Sequence, residues 1–229
     1  MFKFALSSLV ALAAADKDSI DRQVLALVRN SSLRAFTGNI ATAVANFDEY
    51  GCWCYFYDNV GRGKGTPVDE LDGLCKTLHD GYTCAIIDGE AEGADECIPW
   101  EVDYNPGQGT GSDRFADCQA QNPGASNCAV RACSVEGIFT DNVFALLLGG
   151  SQANLEEFSH VNGFDPSPTQ GCQVKPGMKG YGGEKACCGA YPNRFPFKTL
   201  DGDRACCGAR TYNTQLLNCC GNGQVKANC

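Results

Sequence analysis

Sixteen cysteines constrain this 229-residue chain more than any other feature, because they divide evenly: eight fall between Cys52 and Cys133 and eight between Cys172 and Cys229. All of them lie beyond an N-terminal segment in which Lys3 is followed by the apolar stretch from Phe4 to Leu12, then Ala13-Ala14-Ala15 and Asp16. That segment has the form of a secretory signal cut after Ala15, residues 1–15, which places the mature protein outside the cell. About a dozen apolar residues are too few to span a bilayer. An even number of cysteines in an oxidising compartment predicts a disulfide framework of up to eight bridges. Zinc is the weaker reading, since only His79 and His160 could supply imidazole and no two Cys-x-x-Cys motifs face each other.

The two groups are separated by Asp165-Pro166-Ser167-Pro168-Thr169-Gln170-Gly171. An even group on each side of a Pro-rich linker predicts two separately bridged modules, residues 16–164 and 172–229, joined by residues 165–171. Every bridge is then expected within 52–133 or within 172–229, the pairing inside each group staying open. In the first module Ile20, Val24, Leu25, Leu27 and Val28 have helical spacing, continued by Leu33, Phe36, Ile40 and Val44. Asn30-Ser31-Ser32 between them is a glycosylation sequon, so Asn30 is expected to carry a glycan. A helix is predicted from Pro67, with Asp69 and Glu70 suited to its dipole, through Leu71, Leu74, Leu78 and Tyr82 toward Ile87. Another spans about Cys128 to Leu148 and ends at Gly149-Gly150. Its apolar end, Val143 to Leu148, reads as core.

Between the helices the acids Asp88, Glu90, Glu92, Asp95, Glu96, Glu101 and Asp103, with no Lys or Arg among them, read as a solvated loop. The second module lacks helical periodicity and repeats Cys187-Cys188-Gly189, Cys206-Cys207-Gly208 and Cys219-Cys220-Gly221. Poor in aliphatic residues, it must rely on cross-links. The fold class is therefore mainly α and disulfide-rich, with a small irregular or β-rich C-terminal module.

A formal charge of -9 with no basic cluster excludes nucleic acid as a partner. Zwitterionic lipid, cations and mineral surfaces remain compatible with it.

Three ordered motifs carry the chemistry: Tyr50-Gly51-Cys52-Trp53-Cys54, then Gly61-Arg62-Gly63-Lys64-Gly65-Thr66-Pro67-Val68-Asp69-Glu70-Leu71-Asp72, then Cys75-Lys76-Thr77-Leu78-His79-Asp80. Ester hydrolysis without a nucleophilic serine needs a base to deprotonate water and a cation to hold the oxyanion. This stretch, strongest over residues 47–84 and looser from 20 to 148, resembles the calcium loop and catalytic helix of secreted phospholipase A2. The resemblance implies an antiparallel helix pair, His79 as the base, and Ca2+ held by the Asp80 carboxylate with main-chain carbonyls at Gly61 and Gly63. It further implies an acid on the partner helix that orients the histidine, for which Glu136 is nearest and Asp141 the fallback, and a supporting hydroxyl from Tyr82.

Three departures stand beside the resemblance. Tyr55 to Val60 intervenes between Cys54 and the glycines, where the family has a glycine directly after the cysteine. The interval from Asp72 to His79 is one residue longer, which turns a residue by roughly 100° on an unbroken helix. The family's Cys-Tyr after His-Asp is Gly81-Tyr82-Thr83-Cys84 here. The aromatics Trp53, Tyr55, Phe56 and Tyr57 beside the site suit either an interface with lipid or protein, or burial under the loop. Residues 186–223 of the tail resemble galaxin-type repeats of extracellular matrix proteins. Two functions follow: a phospholipase A2-like protein with degenerate catalytic machinery that serves as a matrix, filament or mineral-associated component, or an active calcium-dependent enzyme cleaving the sn-2 ester. The partners implied are a phospholipid interface or other matrix subunits, with self-assembly for a matrix component.

Overall fold

The computed structural model describes residues 47–56, 60–93, 96–107, 113–148, 155–174 and 183–229. The signal segment, the helical patterns over 20–44, Asn30 and Tyr57 lie outside the described residues.

Helix α1 runs from Glu70 to Ala91. It begins three residues later than Pro67 suggested, because Asp69 in extended backbone is its N-cap and accepts from the Asp72 N–H at 2.9 Å. Helix α2 spans Arg114–Gln121 and helix α3 spans Asn127–Leu148. On α1, Leu71, Cys75, Leu78 and Tyr82 recur at three- and four-residue intervals and meet Val135, Phe139, Val143 and Leu146 of α3 in the main core. The helices come close because Gly81 leaves room for Val135: a Cβ at Gly81 would lie 2.5 Å from Val135 Cγ1. The apolar end of α3 is indeed used for packing, at Val143 and Leu146. A second cluster joins Tyr104 to Cys118, Ala129, Val130, Ala132 and Cys133, pinned by the Cys118–Cys133 bridge. No helix among the described residues is long and apolar enough to cross a membrane.

The C-terminal segment forms three two-stranded antiparallel sheets: β1 (Lys185–Cys188) with β2 (Phe195–Lys198), β3 (Arg204–Cys207) with β4 (Arg210–Asn213), and β5 (Asn218–Cys219) with β6 (Val225–Lys226). The first two repeat one design, in which a Cys-Cys pair ends the strand and a glycine of positive φ follows, Gly189 at 88° and Gly208 at 63°. Adjacent cysteines point to opposite faces of a strand. One of each pair therefore bridges backward and its neighbour forward, giving the ladder Cys84–Cys187, Cys188–Cys206, Cys207–Cys219 and Cys220–Cys229.

Two sequence expectations are corrected here. Bridges do not stay on their own side of residue 165: Cys52 pairs with Cys172 and Cys84 with Cys187. Parity could not reveal this, since each group stays even when it exports two cysteines. The acidic segment is not simply a solvated loop either. Asp88 and Glu90 belong to α1, where Asp88 accepts from the Tyr191 hydroxyl at 2.8 Å and from Arg194. Glu92 pairs with Arg131. The tail hairpin β1–β2 packs on α1 through these contacts, with Tyr191 stacked on Phe115 at 5.6 Å between ring centroids.

Candidate functional site: a lined pocket over helix α1

Asp72 organises the loop above α1. Fully buried, its carboxylate accepts from the main-chain N–H groups of Cys52 (2.9 Å), Trp53 (2.7 Å) and Val68 (2.9 Å). Burial raises its pKa, and those three donors oppose the rise. Gly51, at φ 58°, passes so close that a Cβ would sit 2.5 Å from Asp72 Cγ. The bridges Cys54–Cys75 and Cys52–Cys172 clamp the loop from two sides. His160 adds a third tie, its Nε2 donating to the Gly51 carbonyl at 2.7 Å, so the chain's second histidine holds this loop in place.

Beneath the loop is a cavity of about 390 Å³ lined by Trp53, Val60, Gly61, Gly63, His79, Asp80, Tyr82, Thr83, Ile86, Trp100, Lys185 and Pro196. Five of the expected site residues, His79, Asp80, Tyr82, Gly61 and Gly63, thus share one pocket. Glu136 does not line it. Fully buried on α3, it accepts from the Tyr82 hydroxyl at 2.8 Å and from the Tyr104 hydroxyl. Asp141 is engaged elsewhere, by Arg114 at 2.9 and 2.5 Å.

His79 is only 7 % exposed, and its Nε2 has no hydrogen-bond partner. Burial drives its pKa down to about 4, with main-chain groups of Tyr55 and Trp53 pulling the other way. Its ring meets Tyr82 edge-on at 6.2 Å and lies 6.4 Å from Trp53. Asp80 is ion-paired with Lys76 one turn earlier. Burial raises its pKa, opposed by Lys76 first and by Lys185. Trp53 covers the pocket, its indole N–H donating to the Gly65 carbonyl at 3.1 Å and its ring filling the space a side chain at Gly63 would need. Of its aromatic neighbours, Tyr55 and Phe56 are buried, which decides the choice between exposure and burial for those two.

Trp100, Val60, Ile86, Tyr104, Lys185 and Pro196 escaped sequence reasoning. Tyr104 sits in no motif, and Lys185 and Pro196 belong to the tail, brought to the pocket by the Cys84–Cys187 bridge and by packing of the β1–β2 hairpin on α1.

The chain is 34% identical over 110 residues to an acidic phospholipase A2 of Micrurus dumerilii, covering 82% of that protein and 45% of this one. The chain belongs to the phospholipase A2 family. It is also 38% identical over 103 residues to acidic phospholipase A2 DE-III of Naja melanoleuca, covering 69% of that protein and 44% of this one. A protein of Bungarus fasciatus named acidic phospholipase A2 homolog matches at 33% over 113 residues, covering 77% of it and 49% of this chain. No protein-family profile matches the chain.

For a phospholipase A2, the donor set around Asp80 fits calcium poorly. Among the described residues Asp80 is the one carboxylate lining the pocket, and it already holds an ammonium. Two carbonyls of the neighbouring loop are already engaged, Trp53 accepting from the Tyr55 N–H at 2.9 Å and Cys52 from the Lys64 N–H at 3.0 Å. Among the described residues no group of three or more His, Cys, Asp or Glu side chains converges as a metal site. A hard divalent ion wants six to eight oxygens, roughly, with enough charge to offset its own.

Proposed function

We propose that this secreted member of the phospholipase A2 family binds a lipid chain in the His79 pocket without calcium-dependent ester hydrolysis, and serves as an extracellular matrix, filament or mineral-associated component. The observation that carries the reading is His79 itself. Its Nε2 is buried and unpartnered, and the acid expected to orient it, Glu136, accepts from the two phenols of Tyr82 and Tyr104. Helix α1 is continuous from Glu70 to Ala91, so the extra residue between Asp72 and His79 turns the imidazole by roughly 100°. An imidazole of pKa about 4 is also a weak base for water. Apolar walls from Trp53, Val60, Ile86 and Trp100 favour retention of an acyl chain. The galaxin-like reading of the tail, with its repeated Cys-Cys-Gly hairpins in a covalent ladder, supports the structural role.

The reading in favour of an active enzyme rests on one observation, that His79, Asp80, Tyr82, Gly61 and Gly63 line the same pocket. A single assay separates the two. Purified, oxidised protein is given phospholipid vesicles with millimolar calcium, and release of the sn-2 fatty acid is followed. The proposal expects none above background, with His79→Gln indistinguishable from wild type. Calcium-dependent release that disappears in His79→Gln would establish the enzyme instead.

A further inference from the structure

The pocket over α1 is completed by a residue from outside the helical body. Lys185 opens β1 and lines the cavity, held there by the Cys84–Cys187 bridge two residues on and by packing of both β1 and β2 on α1. Of the described lining residues only Asp80 and Lys185 carry charge, His79 being neutral at pH 7. The Asp80 charge is matched by Lys76, which leaves the ammonium of Lys185 as the net charge at the pocket. Directly opposite Lys185 across the β1–β2 ladder stands Lys198. Like charges side by side on a strand pair repel, and an anion beside them relieves that repulsion. In a chain of net charge -9, this is a local cation beside an apolar cavity with a buried, unpartnered imidazole nitrogen.

We propose that Lys185 is the anion-selecting residue of this pocket, which takes a single-chain amphiphile with a carboxylate head, the head at Lys185 and the chain among Trp53, Val60, Ile86 and Trp100. A carboxylate suits it better than a phosphate monoester, because one unmatched ammonium balances a single negative charge, whereas a phosphate monoester carries about two at pH 7. A volume of about 390 Å³ lies in the range of small-ligand sites. The inference rests on the lipid-binding reading above and adds which residue selects the ligand.

The two tryptophans of the chain, Trp53 and Trp100, both line this pocket, so intrinsic tryptophan emission reports on it alone. The full secreted protein is titrated with palmitate and with palmitamide, which has the same chain and no charge, both below their aggregation concentrations. Palmitate is expected to bind more tightly. Lys185→Gln should weaken palmitate roughly tenfold, the worth of one hydrogen bond to a charged group, and leave palmitamide unchanged. Lys185→Arg should retain most of the palmitate affinity. Equal affinity of the wild type for the two ligands, or a Lys185→Gln variant that loses both alike, overturns the role of Lys185 while leaving lipid binding standing. If neither ligand alters the emission, the lipid-binding reading falls and takes this inference with it.

Discussion

Arg194 of the tail grips Asp88 of α1 with two parallel hydrogen bonds, Nε to Oδ2 at 2.8 Å and Nη2 to Oδ1 at 2.9 Å, while its Nη1 donates to the Gly189 carbonyl at 2.6 Å. Tyr191 donates to the same carboxylate, and its own pKa is raised, by burial first and then by Asp88. The fork therefore fixes the hairpin turn and docks it on the helix at once. Lysine cannot reproduce a planar two-point contact. Arg194→Lys should lower stability by about 1–2 kcal/mol in denaturant titrations with the bridges intact, and should speed proteolysis of the turn between β1 and β2. An unchanged midpoint and digestion rate would show that the Cys84–Cys187 bridge alone sets the docking.

Nonreducing peptide mapping should recover Cys52–Cys172 and Cys84–Cys187 as the bridges that cross residue 165. A fragment starting at Thr169 would then leave Cys172 and Cys187 without partners, and should be heterogeneous in its disulfides even when oxidised. Recovery of bridges confined to 52–133 and 172–229 would refute this arrangement.

The depressed pKa of His79 makes a pH prediction with a definite sign. Between pH 6.5 and about 4 the unfolded chain binds a proton at this residue and the folded chain does not, so stability falls on acidification through that window. The loss attributable to His79 is up to about 3 kcal/mol. The carboxyls of Asp72 and Asp80, whose pKa values are raised, act in the opposite sense as the pH falls through those raised values toward 3.8. Comparing wild type with His79→Gln isolates the histidine: the variant should lose less stability on going from pH 7 to pH 4.5. Parallel profiles would mean that the imidazole is not buried as described.

At Gly81 of α1 the helix α3 packs close, with Val135 filling the space a methyl group would take. Gly81→Ala gains in helix propensity yet should destabilise by about 1–3 kcal/mol through overpacking. Gly81→Ala combined with Val135→Ala should recover part of that loss, which thermal unfolding of the four proteins in the cycle would measure. A more stable single variant would show that the helices can separate there at little cost.

The helix pair was legible because Leu71, Leu78, Val135 and Phe139 carry the periodicity of one apolar stripe each, and because Asp69 and Glu70 lie at the start of α1. The pocket was legible where a motif named its residues, His79, Asp80 and Tyr82 on one helix and Gly61 and Gly63 on the loop. It was illegible where long-range closure decides the outcome. The phenol of Tyr104 meets Glu136 across 32 residues, and Lys185 joins Asp80 at the pocket on a hairpin tied to α1 by a bridge whose partners are separated by 103 residues. Cysteine counting could not find that bridge, since parity is blind to exchange between groups.

The cysteine ladder also has a mechanical meaning. From Cys84 in α1 the shortest covalent route to Cys229 crosses four bridges with Cα–Cα spans of 5.7, 5.3, 5.5 and 5.5 Å. Three steps of ~3.8 Å between neighbouring cysteines join them, for a route of about 33 Å. The same stretch of main chain, about 145 residues, would extend to roughly 500 Å without its cross-links. A pull on Cys229 is thus carried to the middle of α1 along a short covalent route, and the tail extends no further than that route allows. Reduction of any one rung would release the loop it closes as slack, and the helical body would feel the load only after that loop had been drawn out.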